Sequence, residues 1–167
     1  MKKYFRIVLI SSVLSLLGTS YVNAQNYNTG IGVRMGLFQG LDIKHFIGSD
    51  RALEGILSTR GSTWNGNSWG WNIAVLYEID KPINGVDGLS WFYGFGGHIV
   101  FANGTNNIWW NDTNDHIVIG VDGIIGLDYT IPNAPLNLQL DYKPAFNLTD
   151  PVGWWGEDLA LSIRFIF

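Results

Sequence analysis

Cysteine is absent from the chain. That excludes a disulfide framework, a thiolate metal site, a cysteine nucleophile and anchoring through a lipidated cysteine. Charge is scarce as well, at 14% of 167 residues. Beyond the N-terminal segment no apolar run approaches the roughly 20 residues that a transmembrane helix needs, so a helical membrane protein is ruled out.

What the chain has instead is glycine and aromatic residues: 21 Gly, 8 Trp, 7 Tyr and 9 Phe. With few charges, that mixture suits a membrane β-protein better than a soluble helical one. The length is enough for one domain.

The N-terminus reads as an export signal. Lys2, Lys3 and Arg6 precede the apolar run Ile7 to Gly18, and Val22-Asn23-Ala24 offers small residues for cleavage. The expected organisation is a cleaved signal peptide over 1–24 and a single mature domain over 25–167. Three basic residues leave with the segment and no acidic ones, so seven basic residues face fourteen acidic ones at a formal charge of −7. That balance argues against nucleic acid and anionic membrane surfaces as partners.

The mature part alternates with period two. Ile31, Val33, Met35 and Leu37 share one face of Gly30 to Phe38, and Gly32, Arg34 and Gly36 the other. The same opposition recurs in Leu41 to Ile47, Ala52 to Arg60, Trp71 to Glu78, Leu89 to Phe101, His116 to Tyr129, Pro135 to Phe146 and Leu159 to Phe167. Eight strands follow, each with one apolar face and one that is polar or small.

Alternation also fits a soluble barrel, whose outer face is the wet one. The composition of the polar face separates the two. It combines Gly, Ala and Ser with isolated charges of both signs: Arg34, Asp42, Lys44, Glu54, Arg60, Glu78, Asp122, Asp128, Asp141, Lys143 and Arg164, with His98 beside them. Such a set resembles a cramped lumen, since an eight-stranded barrel is just wide enough to be filled by its side chains. Buried charges must pair, so these residues are expected to form one salt-bridge and hydrogen-bond network that plugs the lumen.

Connection lengths point the same way. Gly48 to Asp50, Asp80 to Gly88 and Thr130 to Asn133 read as turns at one end, with Gln39-Gly40, Gly61 to Gly70, Ala102 to Asp115 and Asn147 to Gly156 at the other. Short on one side and mostly longer on the other is the asymmetry of an outer-membrane barrel.

Strands, export signal and C-terminal aromatic strand together resemble the small outer-membrane β-barrels of the OmpA/OmpX type. The stretches GVRMGLFQGLDIKHFI, RALEGIL, GVDGIIGLDY, PLNLQLDYKPAFNL and ALSIRF are similar to small barrel proteins in the outer membranes of Bacteroidetes-type bacteria. The resemblance implies an all-β, eight-stranded antiparallel up-and-down transmembrane barrel in the outer membrane of a Gram-negative bacterium. It also implies insertion by the barrel-assembly machinery, with Phe165 and Phe167 resembling the C-terminal signal which that machinery reads. It carries no active-site residues across.

Chemistry-bearing residues are few. Ser90 and His98 stand eight positions apart on one strand, about 26 Å at 3.3 Å per residue, so they cannot pair as nucleophile and base. His45 falls on the apolar face near a strand's middle and His116 opens a strand, so the three histidines lack metal-ligand spacing. No catalytic residue, metal or cofactor is expected. Trp64, Trp69, Trp109, Trp110, Trp154 and Trp155 fall in or beside the long connections, as an interfacial girdle or as an exposed platform for an extracellular glycan or protein. The expected partners are therefore outer-membrane lipid, the insertion machinery and such a surface ligand, for a monomer with a structural or surface-recognition role. Two other readings stay open: a lipid-A-modifying enzyme centred on His98, and a soluble periplasmic barrel that binds an apolar ligand.

Overall fold

A computed structural model describes residues 27–60, 70–102, 116–149 and 152–167. Eight strands follow one another: β1 (Thr29–Gly36), β2 (Phe38–Phe46), β3 (Arg51–Arg60), β4 (Gly70–Pro82), β5 (Leu89–Ala102), β6 (His116–Thr130), β7 (Leu136–Asn147) and β8 (Gly153–Ile166). Each pairs antiparallel with its neighbours in sequence, and β1 pairs with β8 to close the barrel. Closure runs from Gly36 opposite Ala160 to Gly30 opposite Ile166. Thr29 and Phe167 then exchange two further backbone hydrogen bonds, of 3.1 and 2.9 Å. A closed ladder leaves no strand edge to seek an outside partner.

The period of two sorts the side chains as the alternation predicts. Outward, every strand presents large apolar residues, among them Ile31, Ile43, Leu57, Ile73, Phe95, Ile119, Leu140 and Leu161. Inward, Arg34, Lys44, Glu54, Glu78, Gln139, Asn137 and Arg164 rank among the largest fully buried side chains. Apolar side chains cluster inside at two places, Ile56, Ala74, Leu76, Phe92 and Ile124 on β3 to β6, and Val100, Ala102 and Val118 nearer the far end.

The barrel has a turn end and a loop end. The turn end carries residues 47–50, 83–88 and 131–135, and the loop end carries Leu37, 61–69, 103–115 and 148–152 between the strands.

Several boundaries depart from the sequence expectation. The first hairpin turns at Leu37, and Gln39 and Gly40 belong to β2. Arg34 faces Gly40 across that hairpin, and a β-carbon on Gly40 would lie 2.0 Å from the Leu57 carbonyl oxygen. Glycine there serves close backbone approach, which its sequence neighbourhood mimics as a turn signal. β4 runs on to Pro82, which shortens the following turn to 83–88, and β8 starts at Gly153, which puts Trp154 and Trp155 on a strand. His45 is the last residue but one of β2, not its middle, and its ring nitrogen Nδ1 lies 2.9 Å from the Thr29 hydroxyl on the outer face.

Pro144 marks the one irregular place in β7. Without an N–H it cannot serve the ladder. Pairing with β6 lapses between Ala145 and Tyr142, and the β8 register slips by one residue between Lys143 and Ala145. That bulge lets β8 continue upward to Trp154 opposite Phe146.

Candidate functional site

Inward-pointing positions on β1, β2, β7 and β8 place the charges along the barrel axis. Arg34 on β1 donates two hydrogen bonds to Asp141 on β7, at 2.7 and 2.6 Å, and a third to Asp158 on β8 at 3.3 Å. This forked pairing is the strongest geometry a guanidinium and a carboxylate have. Arg164 on β8 crosses the interior to Glu54 on β3 at 2.6 Å, bonds Asp42 through Nε at 3.1 Å, and gives Nη1 to the Gln139 side-chain oxygen at 2.7 Å. Lys44 sits between Glu78 and Asp80, both at 3.0 Å, with Asp128 at 3.4 Å and the Phe92 ring 4.5 Å below it.

Toward the loop end Lys143 reaches Asp122 at 3.1 Å and Asp158 at 3.7 Å. His98 Nδ1 lies 3.0 Å from Asp122, and its Nε2 lies 3.2 Å from the Asn147 side-chain oxygen. The imidazole has room because Gly120 faces it: a β-carbon there would come within 2.4 Å of the ring.

These contacts join into one path. It runs from Lys44 through Asp128 and Arg164 to Gln139, through Asp141 and Arg34 to Asp158, then through Lys143 and Asp122 to His98 and Asn147. A chain of ion pairs and hydrogen bonds of this kind gives each charge on the path an opposite charge or a polar neighbour, which the low dielectric of an interior demands.

The interior holds more acid than base. Eight carboxylates (Asp42, Glu54, Glu78, Asp80, Asp122, Asp128, Asp141 and Asp158) and four cations (Arg34, Lys44, Lys143 and Arg164) are buried among the described residues.

Geometry and architecture now invite comparison with known structures. A structure search finds the crystal structure of the N-terminal β-barrel domain of Pseudomonas aeruginosa OprF, with a TM-score of 0.64 at 16% identity over 86% of this chain and 100% of that one. The fold is that of a small OmpA-type barrel. No protein-family model and no curated protein matches the sequence.

Within this OmpA-type barrel the residues singled out from sequence are placed as follows. Arg34, Asp42, Lys44, Glu54, Glu78, His98, Asp122, Asp128, Asp141, Lys143 and Arg164 all point inward and are buried. Arg60 ends β3, and its side chain lies outside the described residues, as do Trp64, Trp69, Trp109, Trp110 and the Trp155 side chain. Trp154 is 68% exposed on the outer face of β8. Phe165 and Phe167 stack loosely on the outer face at the turn end, ring centres 6.3 Å apart. Ser90 is at the turn end of β5 with its hydroxyl on the Asp128 carbonyl at 3.4 Å, eight residues from His98, as the spacing requires.

Alternation puts Asn137 and Gln139 on the polar face with Asp141 and Lys143, where both are buried, whereas Asp80, Asp158 and Asn147 fall outside the strands read from sequence. Asp80 and Asp158 continue the inward parity of β4 and β8 by one step past the boundaries assigned to those strands, so extending the alternation through polar residues finds both. Tyr27, just before β1, was also missed. Its ring meets Phe46 edge-on at 5.1 Å and closes the turn end over Lys44, and burial holds its phenol well above the ordinary range and therefore neutral.

Proposed function

We propose that this chain is an integral outer-membrane β-barrel, with a lumen plugged by its own charges and a structural or surface-recognition role carried by the loop end. The inverted distribution of side chains supports the reading. Large apolar residues on all eight strands stay between about a third and two thirds exposed, while charge is buried inside. A water-soluble barrel needs the reverse, since contiguous exposed apolar surface beyond a few hundred Å² marks an interaction or membrane face. Aromatic residues at the strand ends, Trp91, Tyr93 and Trp154 among them, suit the two interfaces of a bilayer.

The plug follows from the axial network. An eight-stranded barrel is filled by its side chains, and here ion pairs and amide hydrogen bonds cross-link the filling along the interior. The role is thus that of a rigid anchor that presents residues 61–69 and 103–115, with their four tryptophans, to the outside of the cell. The export signal and the C-terminal aromatic pair fit delivery to the barrel-assembly machinery.

Cell fractionation followed by detergent gels with and without boiling tests this. Recovery in the outer-membrane fraction with a boiling-dependent mobility shift is expected. Recovery in the soluble periplasm overturns the membrane reading.

A further inference from the structure

The turn end of the barrel contains a chamber of about 480 Å³, within the size range of small-molecule sites. Asp80 and Asp128 form part of its lining at the barrel side and Asp50 and Asp87 part of it at the turns, with Tyr27 and Phe46 as aromatic walls. Among the described residues no lysine or arginine lines it. Two cations outside the lining pair with its acids: Lys44 holds Asp80 and Asp128 as well as Glu78, and Lys81 holds Asp50 at 3.1 Å.

Two independent observations show that this end is short of positive charge. Lys44 and Arg164 together hold Asp42, Glu54, Glu78, Asp80 and Asp128, five carboxylates on two cations, whereas Arg34 and Lys143 hold three. Asp80, 93% buried by its 7% exposure, uses one carboxylate oxygen on Lys44, and the other has no partner among the described residues. The Tyr27 hydroxyl, equally buried, has none either. An unpaired buried acceptor is costly unless a donor arrives.

We infer that the chamber binds a small organic ammonium ion, whose N–H donors meet Asp80 and whose alkyl part lies against Tyr27 and Phe46. An ammonium brings what the site lacks, a charge with several donors, and aromatic faces favour such cations over neutral groups of the same shape.

The test uses the full mature chain refolded in detergent micelles and labelled for amide NMR, titrated with n-butylammonium chloride at constant ionic strength. Saturable shifts at the Ser90 and Thr130 amides are expected, with n-butanol giving none. Asp80→Asn weakens the apparent affinity by about thirtyfold or more, the scale for removing one member of a buried charge pair. Asp50 and Asp87 are solvent-accessible, so the double variant Asp50→Asn/Asp87→Asn keeps the fold and weakens binding about two- to threefold, the scale for exposed charges. A capped lysine tripeptide identifies the source: binding at least as tight as the free amine assigns the site to a protein side chain, and weaker binding to a small molecule. Shifts that fail to saturate, that n-butanol reproduces, or that sodium chloride alone produces overturn the proposal.

Discussion

Arg164 and Glu54 meet across the barrel interior at 2.6 Å, although two strands, β1 and β2, separate β8 from β3 around the wall. The pair therefore ties opposite sides of the barrel together. Replacing Arg164 with Met strips Glu54 and Asp42 of their cation and is expected to lower stability by about 3–5 kcal/mol, whereas Glu54→Gln leaves Arg164 its bonds to Asp42 and Gln139 and is expected to cost only about 1–2 kcal/mol. Urea unfolding of the refolded barrel in vesicles measures this. Adding Glu54→Leu to Arg164→Met is expected to recover part of that loss, because Glu54 then needs no cation, while Asp42 stays buried without Arg164.

Leu161 lies mid-strand on the outer face of β8, between Met35 of β1 and Leu140 of β7. In a bilayer, Leu161→Arg is expected to lower stability by about 2–4 kcal/mol, and the same change near a strand end by about 1 kcal/mol or less. In a soluble barrel a surface arginine is nearly neutral, so vesicle refolding yields for the two positions separate the cases without any cell biology.

Gly40 and Gly153 make a matched pair. A β-carbon on Gly40 collides with the Leu57 carbonyl, whereas on Gly153 it meets nothing within 4 Å. Gly40→Ala is expected to cost about 1–3 kcal/mol through forced separation of β2 from β3. Gly153→Ala is expected to change the unfolding free energy by less than about 0.5 kcal/mol.

Phe167 is half exposed on the outer face, so Phe167→Ala is expected to shift the stability of the refolded, purified barrel by only about 0.5 kcal/mol. If its ring is read as an assembly signal, the same variant lowers the amount inserted in cells severalfold. Equal outer-membrane levels of variant and parent, by quantitative blotting, sink that role.

How far the sequence discloses the structure depends on which property is asked for. Parity is local, so Ile31, Val33 and Met35 announce their shared face without any knowledge of their neighbours. Strand ends are less legible. Leu37 carries no turn chemistry and turns because β1 and β2 are each held by another strand, while Gly40, which looks like a turn residue, is needed for backbone contact. Asp80 and Asp158 are hidden because polar residues at a strand's end resemble the start of a turn. Partners are the least legible: that Arg34 finds Asp141 rather than Asp42 depends on the relative shift of strands around the barrel, and sequence carries that only through the complete set of registers. The chamber at the turn end has no sequence signature at all, since its walls come from four separated segments.

The β1–β8 seam has a kinetic consequence. Its partners lie near the two ends of the described chain, Gly30 with Ile166 and Thr29 with Phe167, so closing it joins residues separated by all the other strands. Loop closure over such a span is slow, and topologies dominated by remote contacts fold in milliseconds to seconds or longer even when stable. Until the seam closes, β1 and β8 are two open edges and the ladder of buried charges is wet. The native barrel and its immediate precursor are thus separated by a step in which pairing, drying and ion-pair formation occur together. Interruption of that step yields an aggregating chain, not a slightly looser barrel.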